Sequence, residues 1–178
     1  LTSQAGPMTR TVRDSALLLD ILAGYDKRDP YSLQDAPANF ADGLYLGIKG
    51  VKIAWSSDLG YAAVEKETRE VTYLAATVFK DLGADVDEPV LSLEHPMEAF
   101  LNIFAANNYA SYGDLIDSSN DMLTDYGRQN LELGRRVTGA DYARALLSVQ
   151  TMRANVDELM DTYDLLLTPT MAIPAFPV

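Results

Sequence analysis

The chain has 178 residues, enough for one domain with a genuine core, and a formal net charge of −12 from 26 acidic against 14 basic residues, a field that repels phosphate backbones and argues against direct nucleic-acid binding. It has no cysteine and one histidine, which removes disulfides, thiolate catalysis, cysteine metal sites and histidine-rich metal sites. No apolar run approaches the roughly 18 residues of a membrane-spanning helix and no signal peptide is visible, so no membrane partner is expected.

Gly6-Pro7 punctuates the chain ahead of a first helix. Thr11 offers its hydroxyl to the free amides, and Asp14, three residues on, completes a capping box at the positive end of the helix dipole. Val12, Ala16, Leu17, Leu18, Ile21 and Leu22 recur at helical spacing and predict a buried stripe, and Gly24 fits the position just past the helix end. Asp26 to Gly47, with Pro30 and Pro37, has breakers but no period, and reads as a long surface connection.

Val51 to Ser56 is the clearest strand, with Val51, Ile53 and Trp55 on one side and Lys52, Ala54 and Ser56 on the other. Asp58-Leu59-Gly60 turns the chain into a helix from about Lys66 to Leu82, whose apolar face carries Val71, Leu74, Ala75, Val78, Phe79 and Leu82. Gly83 ends it, and Ala84 to Val90 holds a second short strand. Strand, helix and strand at this spacing predict a parallel βαβ unit with a right-handed crossover, hence an α/β architecture.

Pro96 suits the first position of a third helix, apolar at Met97, Phe100, Leu101, Phe104 and Ala105. Gly113 to Asn120 is a polar interruption, and Leu123 to Val137 predicts a shorter helix broken or weakened by Gly127 and Gly134. Thr138 with Asp141 repeats the capping-box pattern and opens the longest helix, to about Thr162, with Tyr142, Leu146, Val149, Val156 and Met160 near one face. Asp164 to Leu167 is apolar after its first residue, as a strand buried on both faces would be, and Thr168-Pro169 ends it. No repeat or linker divides the chain, so a single domain over residues 1–178 is expected.

Three stretches are distinctive in wording as well as in period. GPM-T-R-T-V-x-D leads through the first helix to AGYD-x-x-DP-x-S; Gly47-Ile48-Lys49-Gly50 runs into VKIAW; and Tyr163-Asp164-Leu-Leu-Leu-Thr168-Pro169-Thr170 leads to AIPAFPV. In this order they resemble the amidase signature family of serine amidohydrolases, over nearly the whole chain and most weakly between about residues 90 and 135. The resemblance implies a mixed sheet with flanking helices, forming an incomplete carboxyl-terminal portion of an amidase domain. The chain opens at Leu1 without a methionine and closes at Val178 on a Pro-rich run, and is expected to be part of a larger protein.

In that family, hydrolysis is attributed to a lysine, a bridging serine on a cis peptide bond and a nucleophilic serine, in a Gly/Ser-rich signature upstream of GPM-T-R-T-V. A hydroxyl needs a relayed base to be nucleophilic at neutral pH, and amides of a Gly-rich loop stabilise the oxyanion. No such loop is present in this sequence. Ser56-Ser57 and Ser118-Ser119 are the only serine pairs, lack small flanking residues, and read as turn or cap hydroxyls; no catalytic residue is assigned.

The remaining candidates are pocket wall. Thr168 and Thr170 follow a strand, where crevices of α/β sheets open. They either line a substrate pocket or satisfy local backbone after Pro169. Asn107, Asn108 and Tyr109 fall where the third helix is expected to end. The asparagines suit a helix terminus, whereas in some relatives an aromatic hydroxyl near the point of Tyr109 touches substrate. Arg135-Arg136 could clamp a carboxylate but reads rather as a solvated pair complementing a helix carboxyl end. His95 reads as a helix-start surface residue, Arg10 as an anchor of its turn, and Asp85/Asp87 and Asp114/Asp117 as solvated edges rather than a divalent site.

The resemblance therefore implies a parent enzyme hydrolysing a carboxamide through an acyl-serine, acting on a small-molecule amide without metal or organic cofactor. A cytoplasmic location is expected, and a homodimer is admitted. The glutaminase subunit of a tRNA-dependent amidotransferase shares the same motifs. A non-enzymatic α/β interaction module is the reading of another class.

Overall fold

The alternating run after Gly50 becomes the centre of a sheet. In the computed structural model, which describes residues 5–35 and 39–176 (the side chain of residue 120 excepted), β1 (Lys52–Trp55) pairs in parallel with β2 (Asp85–Asp87) on one side and with β3 (Leu165–Leu167) on the other. Ile53 lies opposite Val86 and Leu165, which sets the register. Ile53 and Ala54 point to opposite faces, yet both are fully buried, and Trp55 and Ser56 nearly so. The alternation in chemistry therefore does not mark a solvated face, because a central parallel strand is covered on both sides. The expected α/β architecture and parallel βαβ unit are present, and among the described residues both strand pairings are parallel.

The described residues fall into two units, one up to Ile48 and one from Lys49 onward. In the first, α1 (Val12–Leu22) is capped by Thr11, whose hydroxyl accepts from the Asp14 amide at 3.1 Å. Only this forward half of the expected capping box forms among the described residues; separately, the Thr9 hydroxyl donates to the Thr11 carbonyl and pairs with the Ser15 hydroxyl at 2.6 Å. The helix closes at an extended Ala23, and Gly24 takes the next position with a positive φ of 141°, just past the helix end as expected. Of the expected buried stripe only Ala16 is buried; Val12, Leu17, Leu18, Ile21 and Leu22 are exposed.

The connection after Gly24 is locally ordered. The Ser32 hydroxyl accepts from the Asp26 amide at 2.8 Å and donates to the Gly24 carbonyl, while Asp29 accepts from the Tyr31 amide at 2.9 Å. The guanidinium of Arg28 hydrogen-bonds the Asp26 carboxylate and holds it below the usual carboxylate range. The wording AGYD-x-x-DP-x-S thus encodes a turn. A short α2 (Phe40–Gly43) follows, capped by Asn39 and tied to α1 by the Phe40 amide donating to Asp20 at 2.7 Å. Leu1, Pro37 and Val178 lie outside the described residues.

In the second unit, α3 (Lys66–Asp81) links β1 to β2 and ends in a Schellman motif. The Gly83 amide donates to the Lys80 carbonyl at 2.9 Å and the Ala84 amide to the Phe79 carbonyl at 3.0 Å, with Gly83 at φ 94°. Its inward face differs from the expected one. Ala76 is buried, with Thr72 and Phe79 half-buried beside it, whereas Val71, Leu74, Ala75, Val78 and Leu82 are exposed.

A helical layer follows. α4 (Met97–Tyr112) packs against α6 (Asp125–Arg136) and α7 (Gly139–Met160), with a short α5 (Leu115–Ser118) and a 3-10 turn (Asn120–Met122) between α4 and α6. Ile103 and Ala105 are fully buried on α4, while Met97, Phe100 and Leu101 remain partly exposed. Gly134 does not break α6, which runs through it. It is buried where the helices touch, and a Cβ there would lie 2.1 Å from the Ala105 carbonyl oxygen. The Thr138 capping box is complete: its hydroxyl accepts from the Asp141 amide at 3.2 Å, and the Asp141 carboxylate accepts from the Thr138 amide at 3.0 Å. β3 is not buried on both faces as expected. Among the described residues it has β1 on one side only, and Leu165 is 44% exposed.

Candidate functional site

The parallel register brings the carboxyl ends of β1 and β3 together. Trp55 lies opposite Leu167, and the Ser56 amide donates to the Leu167 carbonyl at 3.0 Å. The chain leaves β1 through a tight turn: Ser56 Oγ accepts from the Leu59 amide at 2.9 Å, and Asp58 accepts from the Gly60 amide at 2.8 Å. Leu59 adopts φ 55°, a conformation uncommon for a branched side chain, and its carbonyl accepts from the Leu93 amide at 3.2 Å. The nearly buried Ser56 is thus spent on backbone, as its reading as a turn hydroxyl required.

Beside that turn, Thr168 and Thr170 leave β3 with exposed side chains, and neither hydroxyl hydrogen-bonds another described residue. Local backbone satisfaction, the structural alternative for this pair, does not occur. Past them the segment is anchored by the Glu65 amide donating to the Ala172 carbonyl at 2.9 Å. Two unspent hydroxyls therefore stand at the carboxyl end of a parallel strand, where each can donate to a carbonyl or accept from an amide.

Tyr109 sits elsewhere in the fold. α4 continues to Tyr112, so Asn107, Asn108 and Tyr109 lie inside the helix and not at its end. Asn108 donates to Asn130 of α6 at 2.7 Å, and Asn107 accepts from the Tyr142 hydroxyl of α7 at 3.2 Å. The half-buried Tyr109 lies against Gly113 and Gly134. These residues join helices, a role that apolar periodicity does not reveal because the bonds are polar and between elements.

The other candidates fall as follows. His95 accepts the Met97 amide through Nδ1 at 3.2 Å and packs its ring on Tyr61, centroids 5.1 Å apart, a helix-start arrangement. Ser118 donates to the Asp114 carbonyl at 2.8 Å. Arg135 and Arg136 are exposed in the last turn of α6. Arg10 is exposed and makes no hydrogen bond or ion pair among the described residues, so it does not anchor its turn there. No group of three or more His, Asp or Glu residues converges on a metal position among the described residues.

One polar pairing is not evident from sequence. Asp164, distinctive there only as part of a motif, accepts from the Lys52 amide at 2.8 Å and donates its own amide to the Lys52 carbonyl at 2.8 Å, extending the β1–β3 ladder by one residue. A single aspartate before three leucines is the available signal.

Comparison with known proteins bears on the whole chain. An acylamidase of Rhodococcus erythropolis is 35% identical over 175 residues, covering 97% of this chain and 37% of the relative. A glutamyl-tRNA(Gln) amidotransferase subunit from Lactiplantibacillus plantarum is 31% identical, covering 97% of this chain and 41% of the relative. The crystal structure of a bacterial aryl acylamidase of the amidase signature family superimposes with a TM-score of 0.85 at 29% identity, over 94% of this chain and 36% of that one. The chain thus spans well under half the length of these relatives. The Amidase family model matches residues 1–178, and the chain belongs to the amidase family.

Proposed function

We propose that this chain serves as scaffold and pocket wall of an amide-hydrolysing enzyme whose reacting groups lie outside these residues. The reaction converts a carboxamide and water to a carboxylate and ammonia or an amine. A serine Oγ adds to the carbonyl carbon and the amine leaves with a proton; water then releases the acid from the acyl-serine. The observation that carries the chain's own part is the pair of unspent hydroxyls on Thr168 and Thr170 at the carboxyl end of β3. They orient the amide by hydrogen bonding, which contributes binding more than chemistry. Tyr109, half-buried against Gly113 and Gly134, supports the wall from the helical layer.

The test is steady-state hydrolysis of an N-aryl acylamide by the enzyme that joins this chain to a Gly/Ser-rich signature. Replacing both threonines by valine is expected to raise KM severalfold with native stability. Unchanged KM and kcat in that variant would remove the pocket-wall role. Hydrolysis of glutamine only when a partner protein is added would move the enzyme to the amidotransferase branch.

A further inference from the structure

A cleft of about 590 Å³ opens between the start of α4 and the first half of α7. Its floor is apolar, formed by Ala99, Phe100, Ala145, Val149 and Met152. Phe100 is 40% exposed and stacks on Phe104, with centroids 5.4 Å apart and planes 11° from parallel, so one aromatic face is held in place.

The rim is charged and unbalanced. Arg144 is engaged with Asp141, and the Nδ1 of His95 is spent on the Met97 amide. Glu94 and Glu98 complete the rim, and neither makes a hydrogen bond or ion pair with a described residue. Two uncompensated carboxylates thus stand over an apolar, aromatic floor. Such a site repels anions, attracts a cation by charge, and offers the ring face to an apolar body. The volume falls within the roughly 300–1,000 Å³ typical of small-molecule sites.

We propose that this cleft binds a small organic cation, a primary ammonium group on a ring-sized or short-chain apolar body. The ammonium sits between Glu94 and Glu98, and the body lies on Phe100 and Met152. Arg144, held by Asp141, adds a positive charge to the rim and disfavours a second cation. This site stands apart from Thr168 and Thr170, and the inference does not depend on the amide-hydrolysis reading.

Benzylammonium titrated into the isotope-labelled intact enzyme that carries this chain, followed by amide chemical shifts, tests the proposal. Saturable shifts are expected in residues 94–102 and 141–152, with benzyl alcohol binding more weakly and benzoate not at all. The double variant Glu94→Gln, Glu98→Gln should keep a native spectrum and lose at least tenfold in affinity, and Arg144→Gln should bind more tightly. Equal binding of benzoate, shifts centred elsewhere, absence of saturation, or an unchanged affinity in the double glutamine variant would each overturn it. Should the double variant not fold, the ranking of the three ligands on the unaltered protein decides the matter.

Discussion

Asp164 and the backbone of Lys52 are joined by two 2.8 Å hydrogen bonds across 112 positions of sequence. One uses the aspartate side chain as acceptor and the other its backbone as donor, so a single residue both begins β3 and fixes its register on β1. Asp164→Ala removes the acceptor and is expected to cost about 1–2 kcal/mol, whereas Asp164→Asn, which keeps an acceptor oxygen, should cost less. Urea unfolding of the two variants distinguishes them.

Gly134→Ala is expected to be more disruptive than a glycine-to-alanine change on an open helix face, where alanine normally stabilises. The new methyl would meet the Ala105 carbonyl oxygen at 2.1 Å, a backbone atom that yields only if α4 and α6 separate. A destabilisation of about 1–3 kcal/mol follows from overpacking, read as a fall in the thermal midpoint. Gly139→Ala, where an added Cβ meets nothing within 4 Å, serves as the control.

The amino-terminal cap of α7 carries a pH signature. The hydrogen bonds from the Thr138 hydroxyl and amide, and then Arg144, hold the Asp141 carboxyl below its usual range. Its folded pKa is therefore depressed, so its contribution is fully present above the unfolded value and is lost as pH falls through the folded one. The stability difference between the unaltered protein and Asp141→Asn should be constant at neutral pH and shrink below about pH 4. Thr138→Ala should cost about 1 kcal/mol. Urea midpoints measured across the acid range test both.

Thr168→Val should leave stability within about 0.5 kcal/mol of the unaltered protein, because its exposed hydroxyl has no described protein partner to lose. A larger fall in the melting midpoint would mean that the hydroxyl is structural, and would count against its role at the substrate.

Element existence is legible where chemistry and period agree. The capping box at Thr138, the glycine stop at Gly83 and the parallel pairing of β1 with β2 all follow from local residue choice. Facing is less legible. The periodicity of α1 and α3 identifies an apolar side, but burial requires a partner, and Val71, Leu74 and Val78 stay exposed among the described residues. The sheet-facing side of α3 uses small or modest residues, Thr72 and Ala76, because close approach to a strand leaves little room. Gly134 and the asparagines of α4 mislead for a related reason. Their meaning lies in contacts between helices, which a linear pattern does not contain. The two threonines after β3 are visible as a motif, but the sequence does not show that their hydroxyls make no hydrogen bond with a described residue.

The sheet order has a kinetic consequence. β2 reaches the central strand across one helix, whereas β3 must return past the entire helical layer to lie on its other side. Closing the longer loop costs only about 1 kcal/mol more in chain entropy, yet such non-local contacts are what slow the folding search. β1, α3 and β2 are expected to assemble early, with the β3 edge of β1 open until the last strand arrives. During that interval the unpaired edge is a template for another chain, so dilute refolding should succeed where concentrated refolding aggregates.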